Sequence, residues 1–295
     1  MPKLKAWIAA GSAVLATGAL IAGSGGAATV TAGAAPSHAA YHAPSARFLS
    51  QARTALVGYL RHNHSTVLLA HPAHTRANTI TAGGSYNWSG YADTSTTANT
   101  FTKVSGAWTT PAVTCSAEDQ ITSEWVGLDG ATTSTVEQDG TISWCYEDTP
   151  TYFTWYEMYP AGTIEVGTSL APGDKITASV TRAATKYTLK LTDATHTANS
   201  FSESATCALA TCLDESAEWI AERSSFSIGI APLADYGTWK LTAGAETAAG
   251  KAGTIGSYAT GTEFSMVDAT DAYNLSTPSK LTGNNSFTTT WNNSW

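Results

Sequence analysis

From Lys175 to Thr181 apolar residues occupy alternate positions, Ile176, Ala178 and Val180, and from Lys186 to Thr192 the same period returns in Tyr187, Leu189 and Leu191. A period of two sets one face of a segment in a core and the other in water, which is the mark of half-buried antiparallel strands. Thr, Ser, Val, Tyr and Trp are abundant, turn signals such as Pro172-Gly173-Asp174 and Asp139-Gly140 recur at short intervals, and residues 84–295 contain no long 3.6-residue apolar stripe. The pattern predicts an all-β domain, an antiparallel β-sandwich of two packed sheets. From Asn274 the chain turns rich in Asn, Ser and Thr and ends in Trp291 and Trp295, which suggests a final strand, with a frayed tail as the alternative.

The N-terminus has a different pattern. Lys3 and Lys5 precede an apolar run of small residues from Ala6 to Ala22, interrupted by Gly11, Ser12, Thr17 and Gly18. A membrane span needs about 20 strongly apolar residues, so the run reads as a cleaved export signal, residues 1–39, rather than an anchor, with Ser37-His38-Ala39 as one candidate cut. The protein is expected outside the cell and without a stable membrane anchor.

Charge divides the rest of the chain into two parts. Residues 40–83 carry Arg47, Arg53, Arg61, Arg76 and five histidines but no acid, whereas residues 84–295 hold 9 Lys and Arg against all 23 Asp and Glu, a formal charge of −14. A basic leader ahead of an acidic body suggests a pro-segment (40–83) that docks electrostatically on the domain it precedes (84–295) and inhibits it; a solvated basic linker is the alternative. A body of this charge repels phosphate, which excludes nucleic acid as a partner. It is long enough for one large core and is expected to act as a monomer.

Cys115, Cys145, Cys207 and Cys212 form an even set in an exported chain, so two disulfides are expected. Cys207 with Cys212 would staple a short loop and leave Cys115 with Cys145, although spacing alone leaves the pairing open. Metal is not expected: the body has one histidine, His196, and no C-x-x-C. A Ser or Cys triad would have to use that same His196, in the turn-like Asp193-Ala194-Thr195-His196. The His62-x-His64 pair reads as solvated, and phosphate-loop, G-x-S-x-G and H-E-x-x-H motifs are absent from the body. No cofactor is implied. Carboxylate and amide chemistry remain.

Seven segments then fall in a telling order over about 150 residues: NWSGYA (87–92), WVGLDG (125–130), VEQDG (136–140), WYEMYP (155–160), PGDKI (172–176), AEWIAE (217–222) and PLADYGT (232–238). In this order they resemble the glutamic peptidases, also called eqolisins. The resemblance implies a concanavalin A-like, lectin-like jelly roll and a pepstatin-insensitive acid endopeptidase acting on protein or peptide substrates. It also implies a catalytic pair at Gln138 and Glu222, 84 residues apart. Glu218, Ile220 and Glu222 share one strand face, so the choice of Glu222 over Glu218 rests on the resemblance.

These residue types suit the reaction. A carboxylate can take a proton from attacking water and return one to the departing amine. A glutamine amide stays uncharged at any pH, can donate to an oxyanion and can orient the water. Trp88, Trp125, Trp155 and Tyr156 lie in the matching segments and are expected to line a substrate cleft. Asp129 and Glu157 are expected there too, holding the dyad's hydrogen bonds or raising its pKa. Two departures stand out: Asp139 follows the glutamine where fungal relatives carry a neutral residue, adding charge beside the site, and Met158 replaces an aromatic. Two alternatives stand beside it: a β-sandwich glycoside hydrolase using Glu157 with Glu218 or Glu222, which predicts that Gln138 is dispensable, and a non-catalytic carbohydrate-binding sandwich, which predicts no turnover.

Overall fold

The computed structural model describes residues 41–61, 67–71, 80–117, 119–209, 211–226, 229–258, 261–270 and 272–295. The signal (1–39) and the His62/His64 pair lie outside the described residues. The strands that frame the site are β1 (Ile80–Ser85), β2 (Trp88–Thr94), β3 (Phe101–Thr109), β4 (Ile121–Leu128), β5 (Val136–Tyr146) and β6 (Thr149–Tyr159). They are followed by β7 (Lys175–Ala183), β8 (Lys186–Asp193), β9 (Phe201–Thr206), β10 (Ser216–Glu222), β11 (Thr238–Ala248), β12 (Gly261–Val267), β13 (Asn274–Pro278) and β14 (Phe287–Trp291). One helix, α1 (Ala46–Arg61), precedes them.

The expected antiparallel sandwich is present. One layer runs β6-β5-β4-β10-β2-β12-β1, antiparallel except for the parallel β12/β1 pair. The other runs β9-β8-β7-β3-β11. Strand β11 belongs to both, because Thr238–Leu241 pair with β14 and Thr242–Ala248 with β3, with a register slip between Thr242 and Ala245. Ala243 at φ 53° sits in that slip, and an added residue there bends the strand from one layer to the other. The alternation read from the sequence is borne out: Lys186–Asp193 alternates exposed and buried residue by residue.

Large residues fill the space between layers, and two indoles tie them together. Trp219 Nε1 on β10 donates to the Ser105 carbonyl on β3 (2.9 Å), and Trp108 Nε1 on β3 donates to Thr141 Oγ1 on β5 (3.2 Å). The disulfides pair Cys115 with Cys145 and Cys207 with Cys212, the arrangement in which the short loop is stapled.

Two sequence expectations need correction. Asp139 alternates with Gln138 along β5, so its side chain enters the inter-layer core, fully buried, and adds no charge beside the dyad. The basic leader contains an amphipathic helix, started by Ser45, whose Oγ accepts from the Phe48 amide. Its stripe of Leu49, Ala52, Ala55 and Leu56 follows helical spacing, and Ala52 and Leu56 are completely buried against the body. The division drawn at residues 83/84 falls inside β1.

Asp139 is one of several carboxyls buried between the layers. Burial raises Glu124 to about 7 despite hydrogen bonds from Thr122 and Thr141, and pushes Asp139 well up against the opposing Lys190 and Ser179 amides. Glu246 is raised by burial and by Asp93, to which it hydrogen-bonds. Carboxyls with raised folded pKa values stabilise the fold fully below their unfolded values near 4.5, and that contribution is lost as pH climbs through the folded values. Thermal unfolding is therefore expected at its highest temperature near pH 4, declining toward pH 8. Glu246→Gln, uncharged throughout, should raise the midpoint by several degrees at pH 8 and leave it nearly unchanged at pH 4; an equal shift at both values would remove ionisation as the cause.

Candidate active site

Antiparallel register brings the candidate residues to one face. Glu218 opposes Gly127, which opposes Gln138, which opposes Glu157. In the next row Ile220, Trp125, Gly140 and Trp155 stand side by side. Glu222 lies between Trp88 of β2 and Ser123 of β4. Opposed residues share a face of the sheet, so Gln138, Glu157, Trp125, Trp155, Trp88 and Glu222 all project away from the second layer.

Two glycines make room for the indole between them. A Cβ on Gly127 would meet the Trp125 ring at 2.8 Å, and one on Gly140 would meet the Glu124 carbonyl at 2.2 Å and Trp125 Cβ at 2.7 Å. Trp88 packs edge-on to Trp125 with ring centroids 5.1 Å apart.

Glu222 is held by donors and stripped of water. Trp125 Nε1 donates to Oε2 (2.8 Å) and Asn87 Nδ2 to Oε1 (3.2 Å), while the carboxyl is 1% exposed. Burial pushes its pKa well above the usual carboxylate range; the Trp125 hydrogen bond opposes this, the Glu157 charge adds to it, and Asn87 and Trp88 oppose it. Gln138 Nε2 donates to Glu157 Oε2 (2.8 Å), and Thr163 Oγ1 donates to Glu157 Oε1 (2.9 Å). Gln138 Oε1 has no hydrogen-bond partner among the described residues. The site thus offers a tethered carboxyl that can accept or deliver a proton, and an amide with one free carbonyl oxygen.

Two expected cleft residues lie elsewhere. Tyr156 opposes Asp139 on the other face of the sheet and packs on Phe201 of β9 with centroids 5.6 Å apart, so it belongs to the inter-layer core. Asp129, at φ 67°, holds the loop before β10: its oxygens accept from the amides of Asp214 (2.8 Å) and Glu215 (2.9 Å) and from Thr135 Oγ1 (3.3 Å). Carboxyl oxygens of Asp129, Glu137 and Asp214 lie within 4.8 Å of one another and could face a cation. Arg182 Nε already stands 2.9 Å from Asp214 there and serves as the countercharge.

Asn87, Thr163 and the apolar stripe of the leader are site components that the sequence reading misses. Asn87 sits in the NWSGYA segment beside Trp88, and its donor reaches Glu222 only through the β2/β10 pairing. The leader's part could have been read from the helical spacing of its apolar residues. Ala52 and Leu56 pack in one cluster with Trp88, Trp125, Trp155 and Ile220, which places α1 over the face that carries Glu222.

Comparisons with known proteins identify the family and the fold. A model of the Peptidase A4 family matches residues 86–291. Aspergillopepsin-2 of Aspergillus niger is 29% identical over 178 residues, which make up 51% of this chain and 61% of that protein. Among solved structures, scytalido-glutamic peptidase with a transition state analogue inhibitor superposes with a TM-score of 0.59 at 22% identity, over 70% of this chain and 98% of the other. Aspergilloglutamic peptidase from Aspergillus niger superposes at 0.51 with 24% identity, over 59% and 99%. At these identities the superpositions establish the fold.

The Trp125 hydrogen bond favours the charged form of Glu222, so its removal has a definite sign. Trp125→Phe should raise the Glu222 titration midpoint further, followed by NMR of the chain carrying 13C-labelled glutamate; a midpoint that stays or falls would contradict the assigned donor.

Proposed function

The chain belongs to the Peptidase A4 family, the glutamic peptidases, and from that premise we propose that it is a secreted acid endopeptidase that hydrolyses peptide bonds with Gln138 and Glu222. The observation that carries the reading is the placement of both side chains on one tryptophan-lined sheet face, with Glu222 tethered by Trp125 and Asn87. The carbohydrate alternatives lose their support, because the family is one of peptidases and Glu157 is engaged by Gln138 and Thr163.

Ionised Glu222 removes a proton from water as the oxygen attacks the scissile carbonyl, and the tetrahedral oxyanion forms next to the amide of Gln138. Of the two Gln138 N–H groups, one is tied to Glu157 and the other can donate to the oxyanion. Protonated Glu222 then passes its proton to the amine nitrogen as the C–N bond breaks. Trp125 and Asn87 hold the carboxyl in one orientation through both transfers. Trp88, Trp125 and Trp155 supply apolar surface for extended peptide side chains.

The leader is the inhibitor in this reading, and its described part is held by apolar contacts and hydrogen bonds. Its described contacts include the buried Ala52 and Leu56, the Phe48–Tyr146 and Tyr41–Tyr152 ring pairs, Arg53 Nη2 donating to the Glu165 backbone carbonyl (3.0 Å), the Leu68 amide donating to the Gly130 carbonyl (3.0 Å), the Leu69 amide donating to Asn87 Oδ1 (2.9 Å) and Asn87 Nδ2 donating to the Val67 carbonyl (3.1 Å). Ion pairs between described residues are Arg182–Asp214, His196–Asp174 and Lys280–Glu263, none of which joins leader to body. The described part of the leader thus docks through apolar contacts and hydrogen bonds, while Arg76, His62, His64 and His74 of its basic set lie outside the described residues. Since β1 is built into the sheet, the mature chain begins ahead of Ile80 and the cut falls after α1.

Acid-processed protein is expected to digest casein or haemoglobin below about pH 5 with pepstatin present, and Gln138→Ala and Glu222→Gln should each lower kcat at least about a hundredfold. Folded, processed protein without proteolysis would refute the peptidase reading, and full activity in either variant would refute the dyad.

Burial of one leucine contributes about 1.5–3 kcal/mol, and a charge in its place costs more. Leu56→Asp should therefore weaken leader docking at least about tenfold and give the unprocessed chain early activity. Unchanged latency would show that α1 does not hold the site shut.

A further inference from the structure

We propose that the Asn87 side chain, the Tyr86 amide and the Gly130 carbonyl form a subsite for the backbone of an extended peptide, filled by residues 67–69 of the leader in the latent chain and by substrate once the leader has gone. The inference deepens the peptidase reading and rests on it. A leader that merely covers the dyad needs no particular backbone contacts, whereas one lying in a substrate's place makes the main-chain contacts that a substrate would make.

The main chain of residues 67–69 is held from both edges. Asn87 Nδ2 donates to the Val67 carbonyl (3.1 Å), and Asn87 Oδ1 accepts from the Leu69 amide (2.9 Å). The Tyr86 amide donates to the Leu69 carbonyl (2.9 Å), and the Leu68 amide donates to the Gly130 carbonyl (3.0 Å). Contacts alternate between Asn87 and Tyr86 on one edge and Gly130 on the other, as a chain in β conformation presents its peptide groups. The next residues continue that form, with Ala70 and His71 paired antiparallel to Ser85 and Gly84 of β1. None of these bonds uses a leader side chain, so any extended peptide can make them. Val67 and Leu68 pack against the cluster that contains Trp88, Trp125 and Trp155, the apolar surface assigned above to substrate side chains.

The subsite adjoins the dyad through Asn87. Its Nδ2 also donates to Glu222 Oε1 (3.2 Å), and Ser85 Oγ donates to its Oδ1 (3.0 Å), so both ends of the amide are fixed. The two N–H groups of the amide are then used, one on Glu222 and one on the leader. Asn87 is fully buried, and departure of the leader strips its Nδ2 and its Oδ1 of one partner each, a loss that a buried polar group pays for in stability. A substrate carbonyl and an amide two residues further on restore both, so binding steadies the donor that tethers Glu222. Opposite, Gly130 holds φ 104°, and a Cβ there would meet Val136 Cγ2 at 2.5 Å. The carbonyl that receives the Leu68 amide is thus presented by a backbone form that glycine adopts and other residues avoid.

The test uses acid-processed protein, expected by mass to begin beyond His71, and a capped synthetic peptide with the sequence of residues 67–71. The peptide should compete with a peptide substrate, raising its KM and leaving kcat unchanged. Methylation of the Leu69 amide nitrogen should weaken the peptide about tenfold. Asn87→Leu should bind the plain peptide about tenfold less tightly by calorimetry and no longer distinguish the methylated one, because both changes delete the same contact. Inhibition that is not competitive, no inhibition up to about 5 mM peptide, or an equal methylation penalty in both proteins would overturn the proposal. Full activity in a processed chain that still begins before Val67 would overturn it too. Should Asn87→Leu fail to fold, methylation of the Leu68 amide, which removes the donor to Gly130, is measured on the parent protein; a methylated peptide that binds as well as the plain one would sink the subsite. Peptide binding without any proteolysis refutes the dyad and leaves the subsite standing, whereas proteolysis with which the peptide does not compete refutes the subsite alone.

Discussion

The site depends on the pairing of β10, which is hydrogen-bonded along both edges, to β2 on one side and β4 on the other. A strand fixed on both edges cannot slip without breaking two ladders, and a one-residue slip exchanges its faces. Here the exchange would send Glu218 and Glu222 into the inter-layer core and bring Ala217, Trp219 and Ala221 into the cleft. The Trp219 hydrogen bond to Ser105 on the opposite layer secures the register from below. Every partner of Glu222 depends on that register: Trp125 because it opposes Ile220, and Asn87 because it precedes the residue that opposes Glu222.

The same parity shows what the sequence could and could not reveal. Alternation in β7 and β8 is plain because each has one apolar face. It is hidden in β5, where ten of eleven residues are buried and both faces carry polar groups. Asp139 escapes a reading by sequence adjacency, because within a strand the neighbour of an inward residue faces outward. Tyr156 escapes it for the same reason, being the neighbour of both Trp155 and Glu157. The choice between Glu218 and Glu222 is beyond parity, since both share a face, and the tertiary donors Trp125 and Asn87 distinguish them. Disulfide pairing is legible as a spacing preference. The leader is legible by its charge, and that charge conceals the apolar stripe by which it docks.

In the proposed scheme, the leader and the Glu222 carboxyl are also linked by protonation, with a sign that constrains activation. Burial is the largest cause of the raised Glu222 pKa, and α1 covers the face on which Glu222 lies. The burial that the leader supplies favours neutral Glu222, which cannot act as a base, so in the proposed scheme docking would block the chemistry as well as the space. Linkage then requires the converse: protonating Glu222 favours docking, and this contribution is lost as pH rises through the docked pKa. Acid therefore tightens the hold at this carboxyl. Release in acid has to come from titration elsewhere on the leader and body, or from cutting the chain after α1. Cutting makes the change permanent, because a severed helix of this length keeps little structure in water and its rebinding is no longer intramolecular. In the proposed scheme the leader's docking and the buried carboxyl thus both favour activation by removal of the leader over a reversible swing.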